Sequence, residues 1–182
     1  MGHDHSSSRL SQIVAAARRL LEEQGPDALS MRNVAGAIGI RAPSLYEHVA
    51  DKRTLENAIV AQGLDEQGEV TAAALRGGGD PLTAMATAWR TWALDHPHVY
   101  RLIYARQLDR HVPDVAAAEQ RAGDAIRTLT GSDLASARVI WAFAHGMVML
   151  ELNDRLPPGP AVDELWERGL EALRPLVARP AD

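Results

Sequence analysis

A chain of 182 residues that is 46% apolar and 24% charged can bury a substantial core and is too apolar for wholesale disorder. It has no cysteine, which excludes disulfide frameworks, thiolate metal centres and cysteine nucleophiles, and suits a reducing, cytoplasmic setting. The net charge of −5 is unevenly spread: residues 8–53 carry seven Arg or Lys against five acids, residues 54–182 twelve Arg against eighteen acids, so one end is mildly basic and able to approach phosphates.

Residues 1–7 are polar and Ser-rich and read as a disordered tail. From Ser8 the pattern is helical: Ile13, Ala17, Leu20 and Leu21 form one apolar stripe, ended by Gly25-Pro26. Ser30 stands at an N-cap position ahead of Met31, Val34, Ala35 and Ile38, and Gly39 breaks this short second helix. Pro43 opens a third helix carrying Leu45, Tyr46 and Val49, and Asp51 caps a long fourth one from Lys52 to about Leu75. Gly77-Gly78-Gly79 is the clearest linker. Asp80-Pro81 then starts a helix with Met85, Trp89 and Trp92 on one face, and Asp95–His98 is a turn before a short helix with Tyr100, Ile103 and Tyr104. Pro113 begins an Ala-rich helix to Gly131, and another runs from Asp133 to about Arg155. Pro157-Pro158-Gly159-Pro160 is expected to stop it, with a last helix over 162–177. No period-2 alternation occurs. The expected fold is all-α, with about nine helices. The run Val139–Leu150 is interrupted by His145 and Gly146 and falls short of the roughly 20 residues of a membrane span, so no membrane partner is expected.

The second and third helices have the spacing that seats a reading helix in a major groove while its neighbour braces across the backbone. Ala35 permits close approach, Gly39 suits the turn, and Ile40 follows it as an apolar anchor. Arg41, Ala42, Pro43 and Ser44 are then presented at the start of the reading helix, with Tyr46 and His48 beside them and Lys52 where a phosphate would pass. The stretch 29–52, with Gly39-Ile40, Ser44-Leu45-Tyr46-x-His48-Val49 and Asp51-Lys52, resembles the N-terminal domain of the TetR family of transcriptional regulators. The resemblance implies a helix-turn-helix head over 8–53, a ligand and dimer body over 54–182, and a homodimer on palindromic operator DNA. It also implies that Arg32 and Arg41 to Pro43 reach bases while Ser44, Tyr46, His48 and Lys52 hold phosphates. Glu47 departs from the aromatic or small residue common at its position; a carboxylate there repels phosphate or accepts from a cytosine amine.

In the body, Met85, Trp89, Trp92, Tyr100, Tyr104, Trp141 and His145 are the candidate lining for a small apolar or aromatic inducer, the other reading of each being ordinary core. The segment Trp141–Leu152, with His145-Gly146, resembles the C-terminal domain of a TetR subgroup named for its Trp, His and Gly, as does 93–102. Gly146 in mid-helix suits a close contact between helices, and the last two long helices are the expected dimer face. No Gly-x-Ser-x-Gly or His-Glu-x-x-His motif occurs, and Gly77–Gly79 follows a helix instead of a strand, so no enzyme and no cofactor are expected. The histidines at 96, 98 and 111, or 3 and 5, read as turn and tail residues and not as metal ligands. The expected mechanism is a repressor whose inducer favours a dimer with reading helices out of register with half-sites roughly 34–36 Å apart, the helix from Lys52 being the lever. The rivals are the same fold without a ligand, and a helical enzyme or adaptor that has lost operator binding.

Overall fold

A computed structural model describes residues 3–156 and 160–178. Among the described residues there are nine α-helices and no strand. They are α1 (His3–Gln24), α2 (Met31–Ala37), α3 (Ala42–Tyr46), α4 (Lys52–Arg76), α5 (Pro81–Asp95), α6 (Pro97–Tyr104), α7 (Pro113–Leu129), α8 (Leu134–Leu152) and α9 (Pro160–Leu173). The all-α architecture is therefore as expected.

Most boundaries have local causes. Ser30 Oγ accepts from the Asn33 N–H at 3.2 Å, Asp51 Oδ1 from the Thr54 N–H at 2.7 Å, Asp80 Oδ2 from the Thr83 N–H at 2.9 Å, and Asp133 Oδ1 from the Ala135 N–H at 3.0 Å. Each satisfies an otherwise unused donor in a first helical turn. The α2 end is a Schellman closure: the Gly39 N–H donates to Gly36 O (3.1 Å) and the Ile40 N–H to Ala35 O (3.0 Å), with Gly39 at φ 69°.

Several boundaries differ from the periodicity reading, four of them for reasons visible in the chain. Helix α1 begins at His3 and takes in residues 3–7 of the segment read as tail, since no Gly or Pro interrupts the chain between Gly2 and Gly25. Residues 1 and 2 lie outside the described residues. Helix α3 closes at Tyr46, leaving Val49 buried in the turn after it. Helix α8 stops at Leu152 because Asp154 adopts φ 51° and the Arg155 N–H donates back to Leu150 O at 2.9 Å. The stop expected at Pro157–Gly159 lies outside the described residues. Finally, α9 gives way at Arg174 to a 3-10 turn, where Pro175 has no N–H to continue the helix.

The helices form two compact units, one from the described residues up to Leu64 with His96–Glu119, the other from Asp65–Asp95 with the described residues from Gln120 on. In the first, α1 packs on α2 and α6. Ile13, Ala17 and Leu21 meet a core that includes Val34, Leu45, Ile59, Val99 and Tyr100, all buried. The Glu22 carboxylate at the end of α1 accepts from the His98 and Val99 N–H groups at 3.2 and 3.4 Å, so α1 supplies the N-terminal cap of α6. In the second unit α5 packs on α8, burying Met85, Trp89 and Trp92 together with Ile140, Ala144 and Val148, and α9 adds Trp166 and Leu170. Gly169 sits so close to the Phe143 ring that any side chain there would collide with it.

Candidate nucleic-acid interface

The two short helices of the first unit are held by their apolar sides. Met31, Val34 and Ala35 of α2, Leu45 of α3 and Val49 beyond it are buried, Leu45 completely. What remains outside is the set of polar positions. Arg32, Arg41, Pro43, Ser44, Tyr46, His48 and Lys52 are all exposed, and Ala42 is half-buried. Tyr46 is a large ring left 52% exposed although it is part of a five-residue helix whose Leu45 is 0% exposed. Ile40, expected to be buried after the turn, is half-buried, because its main role is the backbone bond that closes α2. Glu47 is also exposed, on the same stretch as His48.

At the start of α4 the polar side chains are not free-standing. Lys52 Nζ lies 3.7 Å from Glu56 Oε1, while Glu56 Oε2 receives Arg106 Nη1 at 2.8 Å. Arg106 Nη2 donates to Asn57 Oδ1 at 3.3 Å, and Arg53 donates from Nε and Nη2 to Asp109 Oδ2 at 3.3 and 3.2 Å. The hydrogen bond from Arg53 is the first cause that holds the Asp109 carboxyl below its ordinary range. The segment 105–112 between α6 and α7 is thus fastened to the first turns of α4. Nothing in the local sequence pattern marks Arg106 or Asp109, since their partners are some fifty positions away.

The candidate ligand residues are divided between the two units. Met85, Trp89 and Trp92 are buried on α5, and Trp141 and His145 lie on α8, all in the second unit. Tyr100 and Tyr104 belong to α6 in the first unit, ring centroids 4.7 Å apart, with Tyr100 fully buried. Trp141 is 39% exposed and stacks on the His145 imidazole, centroids 5.4 Å apart and planes 2° from parallel. Burial lowers the His145 pKa. A cavity of about 190 Å³ opens in the second unit between α5 and α9, lined by Ala86, Arg90, Leu94, Trp166 and Leu170 among others and by none of the candidates. Its polar edge is a network that sequence reading missed. Glu151 accepts from Trp166 Nε1 and Arg90 Nη2, both at 2.7 Å, and Arg90 Nη1 reaches Asp163 at 2.6 Å. A lone carboxylate in the apolar run of α8 was the available signal.

Helix α8 is apolar on both sides. Ala137, Ile140, Ala144 and Val148 are buried, whereas Leu134, Val139, Trp141 and Leu150 remain 54, 49, 39 and 40% exposed, with Leu165 of α9 at 42%. A Cβ added at Gly146 would meet nothing within 4 Å among the described residues, so the close approach expected there is not made among them. No group of three or more metal-ligating side chains gathers among the described residues, and no described helix is long and apolar enough to cross a membrane.

Comparison with known proteins gives this geometry a context. Residues 13–59 match the family described as bacterial regulatory proteins, tetR family, and residues 82–173 match the tetracyclin repressor-like C-terminal domain. An uncharacterized HTH-type transcriptional regulator of Mycobacterium tuberculosis is 30% identical over 152 residues, 78% of this chain and 69% of that protein. The class D tetracycline repressor of Escherichia coli is 29% identical over 97 residues, 53% of this chain and 40% of that protein. Among solved structures, the multidrug binding protein EbrR complexed with imidazole superimposes with a TM-score of 0.67 at 24% identity, covering 95% of this chain and 97% of that one.

Proposed function

Because the chain belongs to the tetR family of bacterial regulatory proteins, and so is a DNA-binding transcriptional regulator and not an enzyme, we propose that it is a cytoplasmic homodimeric repressor released from a palindromic operator by a small apolar or aromatic ligand. One observation carries the reading. The Schellman turn and the caps at Ser30 and Asp51 fix α2 and α3 with their apolar sides inward, which leaves Arg32, Arg41, Pro43, Ser44, Tyr46, His48 and Lys52 together at the surface. Rigid presentation of base-reading and phosphate-holding groups is what a groove-binding helix needs.

In this reading Arg32 and Arg41 read base edges, with Ala42 and Pro43 against the groove floor, and Ser44, Tyr46, His48 and Lys52 position the backbone. The head covers 8–53 and the body 54–182, with α4 as the lever between them. The second copy covers the exposed apolar face of α8 and α9. That face places the small residues Ala142 and Gly146 between Val139 and Leu150 at helical spacing, a shape that accepts knobs from a facing helix. An inducer of moderate size would be received in the body by Met85, Trp89, Trp92, Tyr100, Tyr104, Trp141 or His145; the multidrug binding protein EbrR, of the same fold, is a precedent for such chemistry. The burial of Met85, Trp89, Trp92 and Tyr100 favours a second reading, a regulator of the same fold whose body stays filled by its own side chains.

Selection of bound sequences from a random duplex pool tests the DNA reading: a palindrome with half-sites one helical turn apart is expected, and no enrichment over the input pool would overturn it. A metabolite screen on the selected operator complex then separates the two readings of the body by whether any compound releases the DNA.

A further inference from the structure

We propose that Arg106 is a positioning residue for DNA binding: by occupying one oxygen of Glu56 it keeps the Lys52 ammonium available to a DNA phosphate. The proposal rests on the reading of Lys52 as a phosphate anchor. Glu56 is a shared carboxylate with two cations in reach, and it divides itself unequally. Arg106 Nη1 takes Oε2 at 2.8 Å, while Lys52 Nζ stays at 3.7 Å from Oε1, beyond hydrogen-bonding length. The surroundings explain the preference. The Glu56 side chain is 15% exposed and that of Arg106 32%, and the second Arg106 nitrogen is fixed on the buried Asn57 amide oxygen at 3.3 Å. A forked guanidinium with a second anchor gives up its carboxylate less readily than a half-exposed ammonium on a flexible stem. The Lys52 side chain is 49% exposed. It is held near Glu56 without being neutralised by it.

Take Arg106 away and the balance changes. Glu56 is then a partly buried carboxylate with only Lys52 to satisfy it, and the ammonium closes to hydrogen-bonding distance. A phosphate must then compete with that carboxylate for the same cation. Arg53, the next residue, cannot substitute without leaving Asp109, on which two of its nitrogens already rest. Arg106 itself need touch no DNA for this to operate.

The test is a set of operator titrations at several salt concentrations with the full chain. Lys52→Ala should lower the slope of log affinity against log salt by about 1. Arg106→Gln should lower it by a sizeable part of the same unit and weaken binding roughly three- to tenfold near 0.1 M salt, on the order of one phosphate contact. Glu56→Gln, which removes the competitor, should strengthen binding. Arg106→Gln should then have no further effect in either the Glu56→Gln or the Lys52→Ala background. Arg106→Lys, which restores a cation to Glu56, should bind almost as the parent does. Circular dichroism and sedimentation confirm that each variant remains a folded dimer, and Glu56→Gln alone decides the matter if Arg106→Gln does not fold. An equal loss on adding Arg106→Gln in all three backgrounds is merely the effect of one cation fewer, and overturns the proposal. So does a Glu56→Gln chain that binds more weakly than the parent. A Lys52→Ala chain with an unchanged slope overturns the anchor reading itself, and the proposal with it.

Discussion

Replacing Gly146 by leucine separates the stability of one chain from the association of two. Among the described residues an added Cβ at Gly146 meets nothing within 4 Å, although the residue lies in the interior of α8. On helix propensity alone, a leucine there should therefore stabilise the single chain by up to about 1 kcal/mol, the ordinary handicap of a mid-helix glycine. If α8 packs against its copy along Val139, Ala142, Gly146 and Leu150, the same leucine overfills the contact. Overpacking costs about 1–3 kcal/mol per site, and a two-fold interface contains the site twice, giving about 2–6 kcal/mol per dimer. At about 1.4 kcal/mol per decade, that raises the dimer dissociation constant from roughly 30-fold to roughly 10⁴-fold. Sedimentation equilibrium over a wide concentration range measures the second quantity, and thermal unfolding of the dilute chain the first. Operator affinity should fall with dimer population, because a single head makes few contacts. A Gly146→Leu chain that is more stable and still associates like the parent would place Gly146 in solvent and move the dimer face elsewhere.

Arg32→Ala and Arg41→Ala should each be tested by binding-site selection. The true base reader should cost roughly 1–3 kcal/mol and relax preference at one operator position, and unchanged selectivity in both would transfer recognition to DNA shape or other contacts. Trp92→Ala, at a position only 6% exposed, should cost on the order of 3–5 kcal/mol in thermal or denaturant unfolding, a loss that would mask any ligand effect. Trp92→Phe keeps most of the volume, so a changed response to inducer in a folded Trp92→Phe chain is the informative outcome, and an unchanged response assigns Trp92 to the core. Burial holds the His145 pKa below 6.5, so the folded state favours the neutral ring. Its contribution is present above the unfolded value of 6.5 and lost as the pH falls through the lower folded value. Unfolding midpoints measured from pH 7.5 to 5 should therefore fall less in a His145→Gln chain than in the parent, and parallel curves would refute it.

The parts of this molecule that sequence makes legible are those decided within a few residues. Ser30, Asp51 and Asp133 announce helix starts because a cap and its donor lie two or three positions apart, and Gly39 announces a stop because the left-handed turn needs it. The exposed set on α2 and α3 is legible for the same reason, since helical period puts Leu45 inward and Tyr46 outward. The end of α8 is not legible in the same way, because a prominent proline run points past Asp154, a residue type that tolerates positive φ without requiring it. The network of Glu56, Arg106 and Asp109 could not be read at all: a charged residue in a loop looks like any other until the fold brings α4 to it. Nor does an aromatic stripe say whether it surrounds a hole or fills one. Met85, Trp89 and Trp92 share a face as their spacing requires, and that face is buried, which either arrangement would give.

The cap that Glu22 places on α6 bears on how heads and bodies could be recombined. Regulators of this design invite chimeras in which a head of known operator is grafted onto a body of known inducer, cut just before α4. Such a seam would part the Glu22 carboxylate from the amide groups of His98 and Val99 that it serves. An incoming head without a carboxylate at that place would leave α6 with two donors lacking an acceptor, and the fault would surface far from the splice. Grafts that keep Glu22, or that bring residues 96–99 along with the head, should tolerate the exchange. The unit of inheritance here is a discontinuous piece of chain.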